Sequence, residues 1–557
     1  MGSVFGHTLD IRLFGINPDS TADQTELIQD AINQAATLRK QLYFPNGTYY
    51  IKADGDLGDY VDFLRDSGGL ALQNNSDLFL ENDAKFYVIP NKKGQYNLFR
   101  IYNKKNVKIK GGILIGDRYS SEKNGMTTGE WGYGIAVSGS ENVYIQDVQS
   151  IDMWGDGINL QYAEPDTNTH LDCKNVQITN VHCYDNRRQG MSIESGIDVI
   201  VQNSLFEKTN GTGPGCGIDV ESAAINSIVK NVIIQNCVFR DNFSSGVLIM
   251  SRVDGASVLN CKFENNKDLE GQLKLYNNIG NIKIFGNTLI GDGVEAGGAA
   301  LINGSNIQFI NNTIKNGLLK IATVENGSNN GIDITDNFFI SDFNFDSPVY
   351  TDGEYEISIN FRNNVVDYRN VTNISGAGIN LPNIKNSNFT DNKFYNIVRI
   401  AIGGNNNTLK NNIIDKTSST SIVVTGDHNI VSGNTIINPC YIYDVYAVFN
   451  LDGNFNSVFE NTVEKTISTV SQNLVNLTST SKGNSFFSNT YYPISVNIGS
   501  TDPSNYFKIN DNLLAASIVG KAGDVKKDNT DYYLCVESSE LDDSGNITQN
   551  AVFKQIV

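Results

Sequence analysis

The sequence is poor in proline, tryptophan and charged residues. Of its 557 residues, 10 are proline and 2 are tryptophan, and charged residues make up only 18%. Scarce proline leaves long stretches free to pair as strands, because proline has no amide hydrogen for a sheet ladder. No apolar run approaches the roughly 20 residues that a membrane-spanning helix needs, and no secretory leader is visible. We therefore expect no membrane insertion.

Basic residues, histidines and paired cysteines are also few. Lysine and arginine total 42 against 61 acidic residues, a net charge of −19. Nucleic acids and anionic membranes both require basic surface, so neither is expected as a partner. The four histidines are scattered, and the seven cysteines include no close pair with metal-ligand spacing. We expect no metal, no cofactor and no disulfide framework, with Cys237 and Cys261 stacked as buried thiols.

Most of the chain repeats one short pattern: a β-rich run, an asparagine, a second β-rich run and turn residues. Examples are N-V-Q-I-T-N-V-H-C at 175 and N-S-V-F-E-N-T-V at 456. The repeat length of about 20 to 28 residues is that of one coil of a solenoid, and such units must stack to bury their apolar faces. The pattern predicts an all-β, right-handed parallel β-helix, in which corner asparagines exchange amide hydrogen bonds and tolerate left-handed backbone. The equivalent asparagines are Asn287, Asn312, Asn337, Asn364, Asn392, Asn412, Asn434, Asn461 and Asn489.

The two ends of the chain depart from the repeat. We predict an N-terminal capping segment over residues 1–70, the β-helix with its groove over 71–504, and a small C-terminal β cap or oligomerisation unit over 505–557. Within the first segment, Asp23 and Glu26 have the spacing of a capping box. The apolar residues that follow have helical spacing and predict an amphipathic helix that covers the end of the stack. They are Leu27, Ile28, Ala31, Ile32 and Ala35.

Three segments align on a glycine: G-I-N-L-Q from 157, G-M-S-I-E from 190 and G-I-D-V-E from 217. A strand alternates its side chains between two faces, so one face is predicted to be core and the other to project into solvent. The solvent face then carries two columns on adjoining coils. One column is Asn159, Ser192 and Asp219, and the other is Gln161, Glu194 and Glu221.

Three clustered carboxyl groups repel one another when ionised, and at least one should have a raised pKa. Paired carboxylates suit glycoside hydrolysis, in which one protonates the leaving oxygen and the other attacks or activates water. Our hypothesis gives the acid role to Glu221 or Glu194 and the nucleophile or base role to Asp219. Neighbouring coils predict the short carboxyl separation of retaining enzymes for Glu194 and Glu221, whereas Asp219 and Glu221 match the longer inverting class.

The coils around these acids are the longest in the chain, at about 27 to 33 residues, and the surplus must emerge as loops. Both tryptophans, Trp131 and Trp154, lie here, three residues before aligned glycines. Exposed indoles beside carboxylates are suited to a sugar-binding groove. Leu248 and Met250 continue the two columns as a groove floor. Asp156 is equally well interpreted as a turn residue, and Arg187 and Arg188 as partners that neutralise Glu194 and Asp185.

The opening run F-G-I-N-P-D-S-T-A-D-Q-T-E-L-I-Q-D-A-I resembles the pectate-lyase-like β-helix superfamily found in bacteriophage tailspikes. So do G-D-R at 116, G-E-W-G-Y-G-I at 129, G-D-G-I at 155, R-R-Q-G at 187 and G-I-D-V-E at 217. The resemblance implies a homotrimeric virion protein that degrades a bacterial capsular, exo- or wall polysaccharide and joins other phage tail proteins. By motif position it implicates Asp219, Glu221 and Glu194, with Arg118, Glu130, Trp131, Trp154 and Asp156 around them; Arg187 and Arg188 are added as substrate-binding residues.

Two other functions remain open from the sequence. A polysaccharide lyase needs a base and cations that neutralise a uronate, which Tyr184, Lys208, Arg187 and Arg188 could supply. A glycan-binding virion fibre would hold the polymer without cutting it. A virion protein could also take teichoic acid, a phosphodiester polymer, as its target.

Overall fold

The structure is a computed structural model. It describes residues 7–53, 68–127, 129–268, 271–291, 298–322, 331–344, 347–353, 355–372, 374, 378–441, 446–465, 474–478 and 481–492, and the backbone of short strands between 498 and 556. The described residues fall into two compact units, one ending at Ile307 and the other beginning at Gln308.

The first unit is built of coils that each contribute one strand to three parallel sheets, here called sheets I, II and III. Sheet I contains Thr8–Asp10, Gln41–Phe44, Asp77–Leu80, Lys105–Lys110, Glu141–Gln146, Lys174–Thr179, Gly196–Gln202, Val229–Gln235, Val253–Leu259 and Gly280–Phe285. Sheet II contains Gly47–Ile51, Ala84–Val88, Ile113–Ile115, Gln149–Ile151, His182–Tyr184, Leu205–Glu207, Val238–Arg240, Lys262–Glu264 and Thr288–Ile290. Sheet III contains Leu70–Ala71, Gln95–Tyr102, Trp131–Ser138, Ile158–Gln161, Met191–Ile193, Ile218–Glu221, Val247–Met250, Leu273–Tyr276 and Gly298–Ile302.

The second unit has the same three-sheet plan, and the boundary falls within strand Ser305–Ile310. Its sheet I strands are Ile332–Thr335, Ile359–Arg362, Asn388–Thr390, Thr408–Lys410, Ile430–Ser432, Ser457–Phe459, Ser485–Phe487 and Tyr506–Phe507. Its sheet II strands are Thr313–Lys315, Phe338–Ile340, Val365–Asp367, Lys393–Ile397, Ile413–Thr417, Thr435–Ile437, Thr462–Glu464 and Thr490–Tyr492. Its sheet III strands are Leu318–Ala322, Val349–Asp352, Ile379–Leu381, Ile400–Gly403, Ile422–Thr425, Phe449–Asp452, Val475–Leu477 and Ile498–Gly499.

The remaining strands are antiparallel. Ala163–Asp166 pairs with Thr169–Leu171 as a small hairpin on one coil. Near the C-terminus, the strands form the small antiparallel β unit that the sequence predicts, although its domain bounds remain predictions. They are Val525–Asp528, Asp531–Glu537 and Val552–Ile556 in one sheet, and Glu540–Leu541 and Ile547–Gln549 in another.

Side chains of the same type stack from coil to coil inside the first unit. Phe206, Phe239 and Phe263 occupy one core column, with ring centroids 5.5 and 4.9 Å apart. The six cysteines with described side chains are buried thiols, and the amide of Cys237 donates to Cys261 Sγ at 3.4 Å. The predicted stacking of Cys237 and Cys261 is therefore confirmed. The side chain of Cys535 is not among those that the structure describes.

The predicted helix is present as Thr25–Thr37, after a short 3-10 helix, Ile11–Phe14; a second 3-10 helix spans Ser121–Lys123. The buried face of the helix Thr25–Thr37 includes Ile28, Ala31, Ile32 and Ala35, as expected. Two details of the prediction are wrong. Leu27 is 48% exposed, because it lies off the buried stripe. The helix begins after Gln24 with no side-chain cap, while the Asp23 carboxylate accepts from the amide and hydroxyl of Thr25.

The asparagine ladder is confirmed in the second unit, with one correction. Asn364 donates from its backbone amide to Asn392 Oδ1 at 2.8 Å, and Asn392 does the same to Asn412 Oδ1 at 3.0 Å. The ladder asparagines do not themselves adopt the left-handed conformation. The residue immediately before each takes it, as at Asn363 (φ 53°) and Asp391 (φ 60°). The backbone turns one residue earlier, which points the amide inward.

Replacing Asn392 with alanine is expected to lower the free energy of unfolding by about 3 kcal/mol. The buried amide of Asn364 would lose its acceptor, and the carbonyl of Phe361 would lose the donor now at 2.9 Å. Urea unfolding would measure the change. The exposed Asn388, replaced in the same way, is the control and should change stability by less than about 0.5 kcal/mol. Equal effects at the two positions would refute the structural role of the ladder.

Candidate functional site

The glycine alignment predicts the register of sheet III correctly. Asn159 pairs with Ser192, and Ser192 pairs with Asp219. Ile193 pairs with Val220, so that Glu194 and Glu221 follow on adjoining strands. The aligned glycines are required because a Cβ at Gly190 would lie 2.5 Å from the carbonyl oxygen of Gly217. This close approach of the backbones fixes one register and brings the predicted acids together.

The expectation that all three acids project into solvent is wrong. Asp219 is 1% exposed and Glu194 is 6% exposed, whereas Glu221 is half-buried. The two columns do lie on the face opposite the apolar core, but turn residues fold over them. Gln189 donates to Asp219 Oδ2 at 3.0 Å and accepts from the amide of Cys216 at 2.6 Å. The site is therefore a covered polar cluster in which Glu221 is the least buried acid.

Asp156 is part of this cluster and not a turn residue with an Asx hydrogen bond. It is fully buried and forms an ion pair with Arg188, with 2.9 Å between Oδ2 and Nη1. The hydroxyl of Ser192 donates to the same oxygen at 2.8 Å. Asn159 Nδ2 donates to Glu194 Oε1 at 3.3 Å, and Arg188 Nη1 lies 3.5 Å from that oxygen. The guanidinium of Arg188 therefore forms ion pairs with two buried carboxyl groups, those of Asp156 and Glu194.

The electrostatics of the acids follow from burial. Burial raises the pKa of Glu194 to about 7, opposed by the guanidinium of Arg188 and assisted by the carboxyl groups of Asp156 and Glu221. Burial, and then the neighbouring Glu221, raise the pKa of Asp219 well above its usual range. Burial also raises the pKa of Asp156. Burial therefore favours the protonated form of all three carboxyl groups.

The tryptophans have different environments. Trp131 is 37% exposed, as predicted, but Trp154 is only 3% exposed, which overturns its assignment as an exposed sugar platform. The guanidinium of Arg187 lies 4.0 Å above the Trp154 ring, and the Nζ of the buried Lys123 lies 5.1 Å from it. Arg187 also donates to the carbonyl oxygens of Gly129 and Thr127, so it anchors the neighbouring loop and neutralises neither Glu194 nor Asp185.

Arg118 contacts turns that follow strands of sheet II, whereas Glu130 lies beside Arg188. Arg118 is tied to Asp185 at 2.9 Å and to the side-chain oxygen of Asn210 at 2.7 Å, so it fastens two loops together. The Glu130 side chain is 49% exposed and lies 3.8 Å from Arg188 Nε. Glu130 and Trp131 are exposed and Glu221 is half-buried, and Leu248 and Met250 continue the columns beside Asp219 and Glu221, as predicted.

Several buried polar atoms of the cluster have no hydrogen-bond partner among the described residues. They are Asp156 Oδ1, Asn159 Oδ1, Gln161 Oε1 and Nε2, and Asp219 Oδ1. Such atoms are rare in folded proteins and costly, and here they are concentrated on and beside strands Ile158–Gln161 and Ile218–Glu221. The sequence hypothesis assigned no role to Gln161, Asn159, Ser192 or Gln189. The first three were visible in the columns, and Gln189 directly precedes an aligned glycine.

Among the described residues, no group of histidine, cysteine, aspartate or glutamate side chains has the arrangement needed to hold a metal ion. No helix in the same ranges is long and apolar enough to cross a membrane.

The raised pKa of Glu194 predicts a pH-dependent stability. The folded chain binds this proton more tightly than the unfolded chain, where the pKa returns to 4.5. The stabilising contribution of the protonated group is complete below about pH 4.5 and is lost as the pH rises through about 7, by about 3 kcal/mol in total. The difference in unfolding free energy between wild type and Glu194→Gln should decrease across this window. A difference that is constant from acid to mildly alkaline pH would contradict the assignment.

The three parallel sheets and the family comparison together define a right-handed parallel β-helix protein. Residues 50–233 match the family model described as "Right handed beta helix region". Two curated Bacillus subtilis proteins are similar in sequence. The uncharacterized protein YclG is 32% identical over 42% of this chain and 42% of its own length. The SPbeta prophage-derived uncharacterized protein YorA is 28% identical over 49% of this chain and 52% of its own.

The chain spans about half the length of the curated relatives it matches. Among solved structures, pre-mature gene product 12 of bacteriophage phi29 superposes with a TM-score of 0.52 at 12% identity, over 98% of this chain and 88% of that one. At this identity the likeness extends to the fold alone.

Proposed function

We propose that this chain binds and cleaves a bacterial surface polysaccharide by glycoside hydrolysis at the acidic cluster of sheet III. The observation that carries the proposal is the pairing of two unlike carboxyl groups on adjoining strands. Glu194 is buried with a pKa raised to about 7, and Glu221 is half-exposed beside it. Two carboxyl groups whose environments differ in this way are suited to separate acid and base roles.

Glu194 is assigned the general acid. A pKa near the working pH combines a large protonated fraction with easy proton transfer to the leaving glycosidic oxygen. Glu221 is assigned the nucleophile. Adjoining parallel strands lie about 4.8 Å apart, close to the carboxyl separation of about 5 to 5.5 Å in retaining glycosidases. The proposal therefore includes retention of configuration at the cleaved sugar.

Asp219 takes a supporting role in this proposal, although the sequence hypothesis made it the nucleophile or base. Its side chain is almost fully buried, and burial raises the pKa of Asp219 well above its usual range. A protonated, covered carboxyl group is a poor nucleophile. Asp219 instead belongs to the buried hydrogen-bond network, in which it accepts from Gln189 at 3.0 Å.

The exposed side chains of Trp131 and Glu130 are the proposed contact with the polymer. The ring of Trp131 offers a flat apolar face for a pyranose, and Glu130 can accept from its hydroxyl groups. Along sheet III, the outward columns continue from Glu221 to Met250 and then to Tyr276. These residues give an extended strip suited to several sugars of a chain.

The proposed setting is a homotrimeric virion tailspike that acts with other phage tail proteins on the host surface. One relative, YorA, carries a prophage-derived name. The covering loops leave Glu221 at the edge, so a neighbouring subunit could complete the site. Analytical ultracentrifugation of the whole chain tests the trimer.

The lyase alternative has weaker support. The ammonium of Lys208 lies 5.2 Å from the Tyr184 ring, on the strands and turns of sheet II, whereas the acids lie on sheet III. Arg188 is already committed to Asp156 and Glu194. A cation and a candidate base therefore do lie together, but on sheet II and not with the carboxyl groups of sheet III.

The proposal is tested by incubating the protein with a panel of capsular and wall polysaccharides in heavy-oxygen water. Hydrolysis should give shorter, saturated fragments that carry one heavy oxygen at each new reducing end. Fragments with strong ultraviolet absorption and no heavy oxygen would mean β-elimination. Binding without a change in polymer length, after long incubation, would mean a glycan-binding fibre. Glu141→Gln, which alters an exposed carboxylate of sheet I, is the control variant.

A further inference from the structure

A groove of about 320 Å³ lies on the outer face of sheet III in the second unit. Its floor follows the register of four strands. Asn380 pairs with Ala401, Ala401 with Val423, and Val423 with Asn450. The floor therefore has two small apolar side chains at its centre and an amide at each end. This volume lies at the lower limit of ligand pockets, which matches a ligand of one or two sugar rings.

The walls of the groove add an aromatic ring and hydroxyl groups. Tyr446 is 42% exposed and lines the groove together with Thr420 and Thr425. An aromatic ring and a small apolar floor complement the carbon-bound hydrogens of a pyranose, while amides and hydroxyls complement its oxygens. The combination matches a saccharide better than a purely apolar ligand.

Arg399 brings a positive charge to this groove. Its guanidinium makes no hydrogen bond or ion pair with any residue that the structure describes, and its Nε is buried. In a chain with a net charge of −19 such a guanidinium is unusual, since acidic partners are abundant. A planar fork of donors is suited to a carboxylate or a phosphate group.

We propose that this groove binds an anionic pyranose, a sugar ring that carries a carboxylate or a phosphate group. Arg399 pairs with the anionic group, and Tyr446 lies against the sugar ring. Asn380 and Asn450 form hydrogen bonds with the hydroxyl groups of the sugar. The described residues that line the groove include no carboxylate, and the proposal is one of binding alone. The inference goes beyond the proposed hydrolysis, because it concerns a different set of strands and needs none of the acids of the first unit.

The test is a titration of the whole chain with glucuronate, glucose 6-phosphate and glucose, followed by ligand-observed NMR or calorimetry. We expect the two anionic sugars to bind more tightly than glucose, and the tighter of the two identifies the anionic group. Arg399→Gln should weaken the anionic sugars about tenfold or more and leave glucose unchanged. Tyr446→Ala should weaken all three. Arg362→Gln, on the exposed face of sheet I in the same unit, should change none.

Equal affinity of wild type and Arg399→Gln for both anionic sugars would overturn the proposal, as would no binding of either at millimolar concentration. A change in oligomeric state on Tyr446→Ala, without any sugar binding, would identify the groove as a contact between copies. Glu194→Gln should bind glucuronate like the wild type. The groove and the hydrolytic site can therefore fail independently.

Discussion

Replacing Glu194 with glutamine is expected to lower kcat for polysaccharide cleavage about a thousandfold at neutral pH. Glutamine keeps the size of the side chain and its acceptor for Asn159, but it cannot donate a proton to the leaving oxygen. The wild-type rate should fall as the pH rises above about 7, because the acid must be protonated and its pKa is about 7. The variant should lose this alkaline limb.

The matched variant Glu221→Gln separates the two roles. It should lose a similar or larger factor, and the loss should persist on an oligosaccharide derivative with a nitrophenyl leaving group. On that substrate Glu194→Gln should recover much of its activity, because an acidic leaving group needs no proton. Equal losses on both substrates in both variants, or full activity in either, would contradict the assignment.

Replacing Arg188 with methionine is expected to lower the free energy of unfolding by about 3 to 5 kcal/mol. The guanidinium is the only ion-pair partner that the described residues give to Asp156, and it also serves Glu194. Its removal leaves two buried carboxyl groups without a counter-charge. Denaturant unfolding at neutral pH would measure the loss of stability. Arg187→Met is the comparison, because it removes the stacking on Trp154 and the hydrogen bond to the Gly129 carbonyl but no ion pair.

Adding Asp156→Asn to Arg188→Met should recover part of that stability, because the uncompensated buried charge is removed. In the wild type, the positive charge of Arg188 lowers the pKa of Glu194. Without that charge, the alkaline limb of cleavage in Arg188→Met should move to higher pH. A double variant that is less stable than Arg188→Met alone would show that the ion pair is not what Arg188 contributes.

The register of the acidic columns was predictable because strand geometry is regular. Side chains alternate along each strand, and Gly157, Gly190 and Gly217 occupy places where neighbouring backbones leave no room for a Cβ. Once the glycines were aligned, the relative positions of Glu194 and Glu221 followed. The asparagine ladder was predictable for the same reason, since the repeat returns each amide to one corner.

The burial of the cluster was not predictable, because it depends on turns that have no fixed period. Arg188 and Gln189 fold over the columns, and the chain around Lys123 packs against Trp154. The sequence shows that a loop is long, but it does not show which surface the loop covers. The groove at Arg399 was missed for a related reason. Its floor combines single residues from four coils, none of which forms a motif alone.

The central claim is that sheet III holds a protonated, buried Glu194 beside a half-buried Glu221. It is tested most directly by infrared titration of the chain with labelled glutamate carboxyl groups, with the Glu194→Gln spectrum subtracted. The account predicts one carboxyl band that disappears with a pKa of about 7. A midpoint near the ordinary value of 4.5 would contradict it, because Glu194 would then be ionised at neutral pH and could not serve as the acid.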